Sequence, residues 1–293
     1  MRQTIWSMHT EGYALVRLCG LFGWSRQGVY QARKRQCLRA QQLDTLTPLV
    51  LQVRRNMPRI GGRKLYYLLK PEFERRGIKL GRDGFFNYLR AQKLLVRPVK
   101  NYTRTTDSTH WLRKHPNVLP GQCLSRPEQV FVSDITYLKS KQGVHYVSLV
   151  SDAYSRKIMG YNLSDDMSST QISKALKMAI VARSNTYPLI HHSDRGLQYC
   201  SQVYQRILRK HGITPSMTDG NDCYQNALAE RVNGILKQEF LIHQCTTQKE
   251  LQVLVSQSIK VYNEIRPHWS LNLQTPQAVH TTKAEHIPSL SKP

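Results

Sequence analysis

Across 293 residues the chain carries 43 Lys and Arg against 19 Asp and Glu, a formal net charge of +24. An excess of that size points to a polyanionic partner, most often nucleic acid, and the length allows one large or two to three small domains with a real core. No run of about 18 apolar residues and no signal peptide is seen, which excludes a membrane-spanning reading.

The charge is not evenly spread. Residues 1–118 hold 24 Lys and Arg against 6 Asp and Glu, a net +18, and the remainder a net +6. A merely soluble basic surface would not concentrate its cations in the first part of the chain. The six cysteines, Cys19, Cys37, Cys123, Cys200, Cys223 and Cys245, form no C-x-x-C pair and accompany no His pair at zinc spacing, so they read as scattered reduced thiols.

Taken in order, Tyr13–Phe22 is apolar at helical spacing, Gly23 ends it, and Ser25 can cap a second helix over Arg26–Arg35. Arg26, Arg33, Lys34 and Arg35 on that second helix suit a helix-turn-helix facing DNA, with a generic helical hairpin as the competitor. A second helical module follows: Leu49 and Val53, a break at Pro58 and Gly61-Gly62, a helix over Lys64–Lys70, and a third over Arg82–Leu95. Arg63, Lys64 and Arg82 are its candidate DNA contacts, interleaved with Tyr66 and Tyr67. The reading is thus 1–40 for the first helix-turn-helix, 41–96 for the second module, and 97–124 for a basic, Pro-interrupted linker whose Arg97, Lys100, Arg104, Arg113 and Lys114 can lie along phosphates.

From residue 125 the pattern becomes α/β. Phe131–Leu138, Val144–Val150 and Ile158–Leu163 are rich in β-branched and aromatic residues with turn residues between them, which predicts a three-stranded antiparallel meander. A helix over Ser168–Arg183, a short strand at Leu189-Ile190-His191, a helix over Ser201–His211, a fifth strand at Ile213–Met217, a helix around Glu230 and another over Gln248–Glu264 complete a domain of 125–280. Leu271 and Leu273 are expected to pack back on it, and 281–293 reads as a polar tail.

Three acids stand out in that domain. Asp134 lies in Val130-Phe131-Val132-Ser133-Asp134-Ile135, too apolar a run for a solvated surface, where a lone charge is expensive. Asp194 lies just past a strand, where open α/β sheets usually put ligands. Glu230 follows Asp194 with 35 residues between them, on a helix whose apolar side is Leu228, Val232 and Ile235. Three acids gathered at one point repel, and a divalent cation is the usual remedy. Lys237 is seven residues beyond Glu230, two helical turns, so it shares that polar face and can reach DNA phosphate. Asp152 reads as the shaper of a turn between strands, and His192 either positions substrate or is a polar strand-end residue.

These residues carry a resemblance. Asp134, Asp194 and Glu230, set in "SDITYL", "HHSDRGLQY" and "NALAERVNGILK" and followed by "YNEIRPHWSL", resemble the catalytic triad of DDE transposases and retroviral-type integrases, and within them the insertion sequence three family. The similarity runs from about Tyr13 to Val279, and departs where many members have Asp-Asn and this chain has Gln225-Asn226. It implies a ribonuclease H-like α/β core with a mixed five-stranded sheet, preceded by all-α helix-turn-helix modules. It implies a divalent-metal-dependent transposase, with two Mg²⁺ or Mn²⁺ ions held by Asp134, Asp194 and Glu230. Such an enzyme cuts DNA to a 3′-OH and joins that end to another strand. The partners implied are double-stranded DNA, as element terminal repeats and as target, further copies of the chain in a homo-oligomer on DNA, and the product of an upstream reading frame. The setting implied is the bacterial cytoplasm, at the nucleoid. A hydrolysis-only nuclease and a non-catalytic DNA-binding regulator are the alternative readings.

Overall fold

The computed structural model describes residues 2–96, 111–219, 226–240 and 245–282. The chain divides into two compact units, Met1–Arg55 with Leu65–Leu95, and Asn56–Lys64 with Val96–Pro293.

The first unit is helical. Helix α1 (Arg2–Thr10), which the sequence reading did not include, packs Ile5 against Leu15, Leu18, Cys19 and Val29, from α2 (Leu15–Leu21) and α3 (Arg26–Asp44). The turn between α2 and α3 forms as expected: Gly23 adopts φ +66°, and Ser25 accepts the Gly28 N–H at 3.0 Å. Helix α3 runs nine residues past Arg35, and Val29 is its buried side chain, so most of its length is a solvated, basic surface. In the rest of the unit α4 (Leu46–Asn56), α5 (Gly62–Arg75) and α6 (Arg82–Ala91) enclose Leu46, Val50, Leu65, Leu69, Phe73, Phe85, Tyr88 and Leu89. The Tyr88 hydroxyl meets the Thr47 hydroxyl, and Arg54 donates from Nη2 to the Leu94 carbonyl at 2.6 Å, two polar ties between α4 and the α6 end of the unit.

The second unit holds a five-stranded sheet in the order β3-β2-β1-β4-β5, with β1 (Val130–Ser140), β2 (Gly143–Asp152), β3 (Ile158–Ser164), β4 (Ile190–Ser193) and β5 (Thr214–Met217). Strands β1, β2 and β3 form the expected antiparallel meander, and β4 and β5 are parallel to β1. This is the ribonuclease H-like core. Successive side chains of β1 face opposite ways. Phe131 joins the core under α7 (Ser169–Val181), α8 (Leu197–Cys200) and α9 (Gln202–Lys210), while Val130 and Val132 join Ala229 of α10 (Ala227–Ile235) on the other face. The alternation puts Asp134 on the α10 face. Close approach of β3 and α7 depends on Gly160, where a Cβ would lie 2.1 Å from the Ala175 carbonyl oxygen.

Helix α11 (Gln248–Glu264) starts in a capping box of Thr247 and Glu250. Its Asn263 covers the β3 edge, accepting the Ile158 N–H and donating to the Ile158 carbonyl. Asp152 shapes the β2–β3 turn: one oxygen accepts the Ser155 N–H and hydroxyl, the other the Glu128 N–H. Leu271 and Leu273 are only half-buried. The closing segment is anchored instead by Pro276, Val279 and His280 of α12 (Pro276–Thr281). Expectations for Arg97, Lys100 and Arg104, for Cys223 and Gln225, and for nearly all of the tail fall outside the described residues.

Candidate active site

Asp134 sits mid-strand on β1, paired in register with Leu149. Its two oxygens are each held: Oδ1 accepts the Ile135 N–H at 2.9 Å, and Oδ2 accepts the Asn233 amide at 2.7 Å. Asn233 is three residues past Glu230, so the helix that carries one acid orients another. At the N-terminus of the same helix Asn226 donates to the Ser133 carbonyl at 3.1 Å, fastening α10 to β1 beside Asp134.

Asp194 follows the last residue of β4. Its Oδ1 accepts the Gly196 N–H at 2.9 Å, and a Cβ at Gly196 would stand 2.9 Å from that same oxygen. A side chain at 196 would therefore push the Asp194 carboxylate out of the position this turn gives it. Glu230 is exposed on α10, whereas Asp134 and Asp194 are half-buried. An open groove of about 370 Å³ runs along the outer side of α10, lined by Ala227, Glu230, Arg231, Gly234, Gln238 and Glu239.

The three carboxylates sense one another. Desolvation first, and then the charge of Asp194, raises Asp134 to about 7, with Glu230 adding to the rise and the Asn233 and Ile135 hydrogen bonds opposing it. Desolvation and then Asp194 also raise Glu230. Such mutual repulsion between hard oxygen donors suits a divalent cation. Two buried amide oxygens nearby, Asn226 Oδ1 and Asn233 Oδ1, have no hydrogen-bond partner among the described residues. The donors fit such an ion in chemistry. Their arrangement is not closed, because among the described residues no three His, Cys, Asp or Glu side chains converge tightly enough to hold a metal.

Lys237 lies in a less regular stretch than the spacing from Glu230 implies. Helix α10 ends at Ile235 and Leu236–Phe240 forms a π-helical turn, so the simple two-turn spacing does not apply. The Lys237 ammonium lies 4.1 Å from the centre of the Tyr137 ring. Burial lowers its pKa, while Tyr137 and Asp134 act to raise it, which places the cation beside the Asp134 end of the site. The same π turn holds Glu239, clamped by the almost fully buried Arg266 through bonds of 2.7 Å from both Nε and Nη2. Arg266 also donates to His268 Nε2 at 2.9 Å. His268, lowered to about 2 by burial and then by Arg266, stays neutral with its proton on Nδ1.

The other candidates are dispersed. Lys64 is ion-paired with Glu239 at 3.2 Å. Arg63 is exposed and stacks over Trp269. Arg26, Arg33, Lys34, Arg35 and Arg82 are exposed in the helical unit, with Arg33 over the Trp6 ring and Arg82 paired to its neighbour Asp83. His192 is fully buried and its Nδ1 meets the Ser216 hydroxyl at 2.9 Å, so it ties β4 to β5 within the sheet. Sequence reasoning missed Gly196, Asn233, Asn226 and Tyr137. Each lies within a quoted motif, and the i, i+3 spacing of Glu230 and Asn233 is the one signal that could have drawn attention to a partner.

Residues 125–223 and 211–276 each match an integrase core domain family. The 31 kDa protein of insertion element IS600 from Shigella sonnei is 32% identical over 266 residues, covering 89% of this chain and 96% of its own. Transposase InsF of insertion sequence IS3A from Escherichia coli K12 is 30% identical over 244 residues, covering 82% of this chain and 83% of its own. Among solved structures, the HTLV-2 integrase catalytic core domain in complex with magnesium is 20% identical, with a TM-score of 0.43 over 54% of this chain and 98% of that one.

Proposed function

This chain belongs to the insertion-sequence transposases with an integrase core, and on that premise we propose that it cuts DNA at the ends of a mobile element and joins the resulting 3′-OH to a second DNA strand. The observation that supports the reading is the placement of Asp134 mid-strand on β1, Asp194 just past the adjacent β4 and Glu230 on α10, the helix that packs on the Asp134 face of β1, within a chain of this family; the upward shifts of Asp134 and Glu230 under the charge of Asp194 agree with it. Those three carboxylates would hold magnesium or manganese, as two ions, which would activate the attacking water or hydroxyl and neutralise charge on the phosphate.

The chain's own groups have distinct parts in this. Asn233 and the Ile135 N–H fix the Asp134 carboxylate, and the Gly196 N–H fixes Asp194, so neither swings to seek solvent. Lys237, steadied over Tyr137, offers a phosphate-binding cation next to Asp134. Residues 1–118, with their net +18, bind duplex DNA through its phosphates, so affinity falls steeply with salt. The chain works as a homo-oligomer on terminal repeats and target, alone or with the product of an upstream reading frame.

The test is strand transfer on oligonucleotides bearing the element ends, with Glu230→Gln as the variant. Partners that merely support metal ligands are worth about 10–100-fold, so loss of a ligand is expected to cost at least about a hundredfold. Near-normal joining by Glu230→Gln would defeat the assignment. Cut but unjoined product from the unaltered chain would favour a hydrolysis-only nuclease, and binding without either product a non-catalytic regulator.

A further inference from the structure

Among the described residues Trp111, at 91%, is the most exposed of the large apolar side chains, and its ring has no aromatic or cationic partner. A buried tryptophan removes about 150–250 Å² from water, so a ring held this far out forgoes a large driving force. The chain that follows it is held in place. Leu112 packs on the core between the sheet and α7 and α9. The His115 N–H reaches Met217 Sδ at 3.5 Å, the Met217 N–H donates to the Pro116 carbonyl at 3.4 Å, and the Val118 N–H donates to Ser216 Oγ at 3.1 Å. Residues 115–118 therefore run along the outer edge of β5, and residues 111–114 lie at the end of that strand where Met217 is level with Ser193, the neighbour of Asp194.

The flanking charges agree with this position. Burial raises the Cys200 thiol and the Asp194 charge raises it further, while Lys114 and Arg195 act against them, so Cys200 senses both Lys114 and Asp194. Arg113 and Lys114 are both exposed. In extended backbone Trp111 and Arg113 share the side opposite Leu112. An exposed flat ring beside two cations is the pairing that holds single-stranded nucleic acid, by base stacking with phosphate attraction.

We propose that Trp111, Arg113 and Lys114 form a binding strip for an unpaired DNA strand leaving the active site past Asp194, with Trp111 stacking on a base. The proposal takes from the function reading only the direction of the DNA. The binding can be measured without catalysis.

The experiment uses the full chain carrying Glu230→Gln, so that no DNA is processed. Fluorescence anisotropy compares a blunt duplex with the same duplex bearing a single-stranded tail. Adding Trp111→Ala should weaken binding of the tailed DNA by roughly 5- to 150-fold and leave the blunt duplex within about twofold. Trp111→Phe should keep most of the tailed affinity. Preserved blunt-duplex binding shows that the variant is folded. Equal losses on both DNAs, or no loss on either, would overturn the proposal. So would a change in oligomeric mass on Trp111→Ala with tailed affinity intact, which would make the ring a contact between copies of the chain. Failure of strand transfer by the unaltered chain would count against the function reading and leave this measurement standing.

Discussion

Glu239 offers a test of whether the catalytic unit rests on a buried ion pair. Arg266 is 1% exposed and donates two bonds of 2.7 Å to the Glu239 carboxylate, and Lys64 adds a third contact at 3.2 Å. Burial pushes Glu239 up, but the Arg266 hydrogen bond and charge, with Lys64 behind them, more than reverse this and hold it below its usual value. Lys64 is itself lowered, because burial and the Arg266 charge outweigh Glu239, so Arg266 is the partner that matters. Removing one member of such a pair strands the other and costs about 3–5 kcal/mol. Arg266→Met should fall at the lower end, about 3 kcal/mol, because Lys64 still faces Glu239. For a unit of this size each kcal/mol moves the melting temperature by about 2–4 °C, giving a drop of about 6–12 °C by calorimetry. Arg266→Lys should be nearly as costly, since an ammonium cannot reproduce the two-pronged geometry. The stabilisation is present above the ordinary Glu value of 4.5 and is lost as pH falls through the lower folded value, so the gap between Arg266→Met and the unaltered chain should narrow in acid. An Arg266→Lys chain melting within 2 °C of the original, or a gap independent of pH, would refute the reasoning.

Three further outcomes are expected. The folded chain binds a proton at Asp134 that the unfolded chain releases between pH 3.8 and about 7, so this residue's destabilising effect grows as pH rises through that window and is complete above it. The shift corresponds to about 4 kcal/mol, roughly halved for the surface Asp134 retains; Asp134→Asn should then raise the metal-free melting temperature by about 4–8 °C at pH 8 and hardly at all near pH 3, below the window, and an equal gain at both would count against it. The ring under Lys237 is worth about 0.5–2 kcal/mol, so Tyr137→Leu should raise KM for the DNA end by about 2- to 30-fold with kcat little changed; a Tyr137→Phe chain as impaired as Tyr137→Leu would show that the ring face is not the contact. In Gly196→Ala the new methyl group displaces the Asp194 carboxylate, and joining should fall by about a hundredfold while thermal unfolding stays nearly unchanged; retained joining would mean that the turn yields without moving Asp194.

The sequence alone determined the class of fold and singled out the three acids as candidates. Runs rich in β-branched and aromatic residues, with turn residues between them, marked β1 to β3, helical spacing marked α7 and α9, and Ser25 marked the start of α3, because these signals arise from local geometry that any chain must satisfy. Asp134 was legible because a carboxylate in so apolar a run demands a reason. What the local pattern could not fix was anything set by contacts distant in the chain. That Asn233 holds Asp134 across 99 positions, that Arg266 grips Glu239 and so steadies the turn bearing Lys237, and that His192 is spent on Ser216 all depend on which faces meet after folding. The π turn after Ile235 likewise breaks a seven-residue spacing that would be two turns in a regular helix. Only the tertiary structure decided these, because a hydrogen bond or an ion pair depends on distance in space, and separation along the chain does not encode it.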